Sequence, residues 1–175
     1  MPQQRNVDVI SINWEGSFDY RNVLEGELDT RFLNGGLYQI YCNHFEDNSL
    51  MYIGMTESSF RERIFSKKEW LDWESKIPQI FAGEIVNVVS GDDRHDLIRR
   101  AERLLIFYCS PPVNKQEKEA WYQVNNADDT VIINFNRRFR LPYVVSNLVD
   151  KTDIYERAGG SVEKARERVR ERSAD

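Results

Sequence analysis

Residues 36–63, GLYQIYCNHFEDNSLMYIGMTESSFRER, constrain this chain more than any other stretch. Gly35-Gly36 signals a turn. Residues 37–42 and 50–53 are short aromatic and aliphatic runs that read as strands, separated by the polar, turn-rich residues 43–49. A helix follows: Ser59 with Glu62 three residues on fits a capping box, and Phe60, Ile64 and Leu71 fall on one face. Tyr38 lies on the first strand and Tyr52 closes the second, beside Gly54. Tyr41, three on from Tyr38, faces the other side of its strand and reads as packing. Arg61 and Arg63 open the helix, and Arg63 and Lys67, four apart, flank its apolar face. A plain hairpin does not require two phenols beside an Arg-bearing helix start, whereas a site handling a phosphate diester does.

The rest of the chain supplies elements around that unit. Residues 7–13, VDVISIN, alternate and are β-branched, which predicts a strand. Residues 14–32 are mixed, and 19–28 fit a short helix or a covering loop. Residues 80–89 predict another strand. Gly91-Asp92-Asp93 stops it and caps a helix over 94–108, whose apolar stripe is Leu97, Ala101, Leu104, Leu105 and Tyr108. Pro111-Pro112 ends that helix, with Asn114 two residues on. Residues 115–129 are polar and loop-like, 130–135 predict a strand, 136–140 (NRRFR) form a basic cluster, and 141–150 fit a short helix or a docking arm. Residues 161–172 read as a charged helix with Glu and Arg at helical spacing.

Composition narrows the classes. The chain of 175 residues, with four Trp, eight Tyr and nine Phe, has enough apolar material for a core and does not read as disordered. Its net charge of −5 argues against a non-specific DNA coat but leaves room for a local basic groove on an acidic body. Cys42 and Cys109 stand apart and sit in apolar runs, reading as buried free thiols; with His44 and His95 alone, a zinc site is not expected. No apolar run approaches the roughly 18 residues of a membrane span, and the N-terminus lacks a signal-peptide pattern, so the expected location is cytoplasmic.

Phosphodiester hydrolysis needs an aligned water, stabilisation of charge on the phosphoryl oxygens, and accommodation of the leaving oxygen, commonly by a metal. Glu102 lies at the edge of its helix's apolar arc, near Ile98 and Ile106. A partly desolvated carboxylate costs stability unless a cation or donors satisfy it, and Mg²⁺ would do so; the ordinary alternative is a salt bridge to Arg99 or Arg63. Arg63 can clamp phosphate through two N–H groups at once, or simply be a solvated helix residue. Tyr38 and Tyr52 can align water and accept a proton if neighbouring charge lowers their pKa, or can be ordinary core phenols. Asn114 can orient the site through its amide, or form a turn.

Taken in order, GLY (36–38), YIG (52–54), FRERI with Arg63, AERLL with Glu102 and PPVN with Asn114 resemble the GIY-YIG nuclease family. The resemblance covers about residues 35–114. It implies an α+β fold, a small mixed, mainly antiparallel sheet flanked by helices, and cleavage of DNA with Mg²⁺ or Mn²⁺. In that scheme Glu102 holds the metal, Tyr38 serves as or positions the general base, and Tyr52 orients water or phosphate. Arg63 stabilises phosphoryl charge and Asn114 supports the site. Leu37 stands where the family usually has Ile, and Lys67 where many relatives carry His or Tyr. The expected division is an N-terminal strand and covering extension at 1–34, the nuclease-like core at 35–115, and a C-terminal extension at 116–175. Lys67, Lys68, Arg137, Arg138 and Arg140 are the candidate phosphate contacts. The expected activity is a metal-dependent DNA endonuclease, of restriction or defence type, with a homodimer suited to cutting both strands. The alternative is a silent nucleic-acid-binding or protein-interaction module on the same fold.

Overall fold

The computed structural model describes residues 7–42, 49–66, 78–89, 93–114, 129–138 and 141–147. They form a mixed α/β structure built on one six-stranded, mainly antiparallel sheet. In chain order the elements are β1 (Asp8–Asp19), α1 (Tyr20–Leu24), α2 (Glu27–Arg31), β2 (Gly36–Cys42), β3 (Ser49–Thr56), α3 (Phe60–Ser66), β4 (Gln79–Val89), α4 (Arg94–Cys109), β5 (Thr130–Phe135) and β6 (Val144–Ser146). The strand order is β3-β2-β4-β1-β5-β6. Only β1 with β5 is parallel; β2–β3, β2–β4, β1–β4 and β5–β6 are antiparallel.

Alternation along the strands gives the sheet two apolar faces, and helices cover both. On one face Ile12, Leu37, Tyr41, Ile53 and Ile85 pack beneath Leu97, Ala101, Leu104 and Leu105 of α4. On the other, Tyr38, Ile40, Tyr52, Ile80 and Ala82 pack beneath Val23 of α1, Leu28 of α2, and Phe60 and Ile64 of α3. Tyr38 and Tyr41 thus point to opposite faces, as their spacing requires.

Three segments resolve differently from a local reading. The first strand runs on to Asp19, because β4 pairs with it along its whole length. Residues 19–28 become α1 and the start of α2; the Asp19 carboxylate caps α1 by accepting the Arg21 N–H at 2.7 Å. Within residues 141–150, the described part holds the short strand β6 rather than a helix or free arm. Its ladder with β5 is extended by Asn147, whose Oδ1 accepts the Thr130 N–H at 2.6 Å and whose N–H donates to the Thr130 carbonyl at 3.2 Å. The Tyr108 hydroxyl donates to the Ser146 carbonyl and ties β6 to α4.

The predicted boundaries at 34/35 and 115/116 both fall between strands of this one sheet, so described parts of all three segments share it. Residues 67–71 of the predicted second helix, the loop at 115–128 and the charged helix at 161–172 lie outside the described residues. Cys42 is buried and Cys109 half-buried. Among the described residues no helix is long and apolar enough to cross a membrane.

Candidate active site

Tyr38 and Tyr52 meet because of an irregularity in β3. Leu50 and Tyr52 are two residues apart, and a regular strand would send both to one face. Pairing instead runs Ile40 with Tyr52 and then Tyr41 with Leu50, leaving Met51 as an extra residue in a β-bulge. Leu50 therefore joins the α4 face and Tyr52 joins Tyr38 on the α3 face. The two rings stack with centroids 5.8 Å apart and planes 30° apart, and Phe60 closes on Tyr38 edge-on at 6.2 Å. Gly54 sits opposite Tyr38 in the ladder. A Cβ there would come within 2.5 Å of Cζ of Tyr38 and of Cε1 of Tyr52, so both rings occupy the space of the missing side chain.

Arg63 comes to the site on α3, whose first turn is held twice. The Ser59 hydroxyl accepts the Glu62 N–H at 3.1 Å, which is half of the predicted capping box. The Asp29 carboxylate of α2 accepts the Phe60 N–H at 2.6 Å and the Ser59 hydroxyl at 3.0 Å. An anion at a helix N-terminus satisfies N–H groups the helix cannot, and complements its dipole. Arg63 itself is exposed, with Arg61 exposed on the same short helix.

Asn114 has a definite task. It is 2 % exposed, and its side chain pairs with both backbone groups of Ile53: Oδ1 accepts the N–H at 3.0 Å and Nδ2 donates to the carbonyl at 2.7 Å. The neighbouring Val113 N–H donates to the Met51 carbonyl at 3.1 Å. The turn after α4 thus imitates a further strand on the free edge of β3, covering groups that would otherwise be unpaired. Ile53 lies between Tyr52 and Gly54, so Asn114 positions the strand carrying the second phenol. Its amide acts on the backbone of β3.

Glu102 is buried at 8 % exposure within the apolar stripe of α4. The body of α4 packs on the face opposite the two phenols, but β3 is the sheet's edge strand, and the carboxylate still acts on Tyr38. Tyr38 registers the whole group. Burial pushes its pKa well above the ordinary phenol value; the Tyr52 phenol and the Glu102 carboxylate push it further the same way, and only the Arg63 guanidinium opposes them. The Tyr52 side chain lies near enough to the buried Tyr38 hydroxyl to raise its pKa.

The residues around Tyr38, taken by themselves, raise its pKa. Desolvation and two negative or ionisable neighbours outweigh one exposed cation. At neutral pH Tyr38 is a protonated phenol, and its raised pKa couples folding to alkaline pH. Above about pH 10 the unfolded chain loses this proton while the folded chain keeps it, so stability present below that pH is lost as pH rises through the folded value. Tyr108, raised by burial to about 12, adds in the same direction. In an alkaline absorbance titration, the wild-type minus Tyr38→Phe difference shows no phenolate step in the ordinary range near pH 10. A step there would mean that the ring is open to water.

The outlying candidates divide. Arg138 lies over the rings of Phe81 and Tyr41, at 4.9 Å and 5.4 Å from their centroids, and donates to Gln79 Oε1 at 2.8 Å. Arg137 is exposed and donates to the Leu141 carbonyl at 2.9 Å. Both help fold the segment that carries them. Lys67, Lys68, Arg140 and His44 lie outside the described residues. His95 sits 3.5 Å from Glu57, which also pairs with Arg99 at 2.6 Å, so Arg99 is directed to Glu57. Among the described residues no three His, Cys, Asp or Glu side chains gather as a ready metal cage. The donor set at Glu102 instead suits an ion that takes one protein carboxylate and completes its shell with water and phosphate, as Mg²⁺ does.

Two contributors have no local signature in the sequence. Asp29 caps a helix that begins in a distant part of the chain, and Met51 shifts the strand register. No family model, curated protein or solved structure matches the chain.

Proposed function

We propose that this chain is a metal-dependent nuclease that hydrolyses phosphodiester bonds in DNA. One observation carries the reading: a single buried phenol, Tyr38, feels Tyr52, Arg63 and Glu102 together. These residues come from two strands and two helices.

The chemistry rests on each group's state. Arg63, exposed and permanently charged, takes two phosphoryl oxygens and offsets the charge that builds on them. Tyr52 and the protonated Tyr38 orient the attacking water or a phosphate oxygen as hydrogen-bond donors. Gly54 leaves the space in which the two rings lie side by side, and Asn114 holds the strand that presents Tyr52. Glu102 would hold Mg²⁺ or Mn²⁺ together with phosphate oxygens; when bound, the ion neutralises charge on the phosphoryl group and the leaving oxygen. A homodimer would bring two such sites to opposite strands of a duplex, and a restriction or defence role suits a small enzyme of this kind.

A second reading, a silent DNA-binding module, draws on the raised Tyr38 pKa, which denies the site an evident base. Metal removal separates the two. Supercoiled plasmid incubated with the protein and Mg²⁺ or Mn²⁺ is expected to convert to nicked and linear forms, and excess EDTA to stop the conversion. A salt-dependent gel shift with intact plasmid under both conditions would remove the nuclease reading and leave the binding module.

A further inference from the structure

The far end of the sheet, at β5 and β6, carries a surface that the proposed active site does not use. Phe135, at the end of β5, and Tyr143, just before β6, lie edge-to-face with centroids 6.2 Å apart and planes at 87°. They remain 39 % and 52 % exposed, and neither joins the cores on the two sheet faces. Beside them is a cleft of about 450 Å³ lined by Asn134, Asn136, Arg137, Arg138 and Tyr143. Among the described residues, that lining holds two cations and no carboxylate, in a chain whose net charge is −5. The guanidinium groups are held in place, Arg137 by the Leu141 carbonyl and Arg138 by Gln79 and two aromatic rings.

We propose that Phe135, Tyr143, Arg137 and Arg138 form a platform for single-stranded nucleic acid, on which an unpaired base stacks on the aromatic pair while the arginines take the flanking phosphates. An aromatic surface beside fixed cations is the combination that binds single strands, because every base has a π-face that a duplex keeps hidden. Prior fixing of both guanidinium groups lowers the ordering cost of binding. Phe135 is on β5, four strands along the sheet from β3, the strand that carries Tyr52. The platform serves to hold substrate away from the reacting bond. It rests on the reading of the chain as a nucleic-acid enzyme, but its test does not depend on cutting.

The test is fluorescence anisotropy with the full chain in EDTA, using a labelled mixed-sequence single-stranded oligonucleotide and its duplex. Wild type is expected to bind the single strand more tightly than the duplex. Tyr143→Ala is expected to weaken single-strand binding about tenfold or more, in line with loss of one stacking ring. Tyr143→Phe keeps most of the affinity, and duplex binding changes less than about threefold in either variant, because a paired base offers no free face to stack. Equal single-strand affinity for wild type and Tyr143→Ala, with unchanged circular dichroism, overturns the proposal. So does absence of single-strand binding at low salt. A dimer seen by sedimentation that Tyr143→Ala dissociates, without oligonucleotide binding, would give this face to a second copy of the chain and also overturn it. With divalent ions left out, failure of plasmid cleavage and failure of single-strand binding are read separately.

Discussion

Glu102→Gln is expected to reduce Mg²⁺-dependent plasmid nicking by about a thousandfold, the rate equivalent of roughly 4 kcal/mol of lost charge stabilisation. The substitution keeps the shape and removes the charge of a side chain that is 8 % exposed on the inner stripe of α4. A neutral amide fits that setting without the desolvation penalty of a carboxylate, so the fold should survive. A second measurement separates loss of metal from loss of structure. Millimolar Mn²⁺ should raise the thermal midpoint of the wild type by mass action and leave the Glu102→Gln midpoint unmoved. Equal nicking by both proteins, or equal Mn²⁺ stabilisation of both, would take the metal away from Glu102.

The second large effect lies at Asn114. Asn114→Ala removes the acceptor for the Ile53 N–H and the donor to the Ile53 carbonyl, at a position that is 2 % exposed. Each buried backbone group left without a partner costs about 1–3 kcal/mol, so urea denaturation should show a loss of about 2–4 kcal/mol. The loss is local in origin, because the edge of β3 opens where Tyr52 and Gly54 are held. Nicking should therefore fall more steeply than the folded fraction. Asn114→Asp is informative beside it: a carboxylate can still accept the Ile53 N–H, but it faces the Ile53 carbonyl with no proton to offer. A loss below about 0.5 kcal/mol in Asn114→Ala would mean that the turn after α4 holds β3 without this side chain.

Both predictions concern residues that stand out in the sequence, but for different reasons. Glu102 is conspicuous locally, as a carboxylate beside Ile98 and Ile106 on a periodic helix, and the fold buries it there. Asn114 is conspicuous only as the residue two after a pair of prolines. Its partner is the backbone of Ile53, and backbone carries no sequence signal. The same holds for Asp29 at the start of α3 and for Asn147 against Thr130. Capping and edge pairing across long separations have no periodicity to read.

Periodicity and turn chemistry marked β2, β3, β4, β5, α3, α4 and the first half of β1, because apolar alternation and the 3.6-residue stripe are properties of neighbouring residues. They also determined that Tyr38 and Tyr41 part company across the sheet. Tertiary structure alone decided that Tyr52 lies beside Tyr38, because the Met51 bulge shifts the pairing by one residue and puts Leu50 and Tyr52 on opposite faces. It alone decided that residues 144–146 complete a sheet, since a three-residue strand exists only where a neighbour offers it hydrogen bonds. And it decided the protonation of Tyr38. A phenol's pKa depends on how much water and which charges surround it, and those are fixed only when the two strands and two helices have packed.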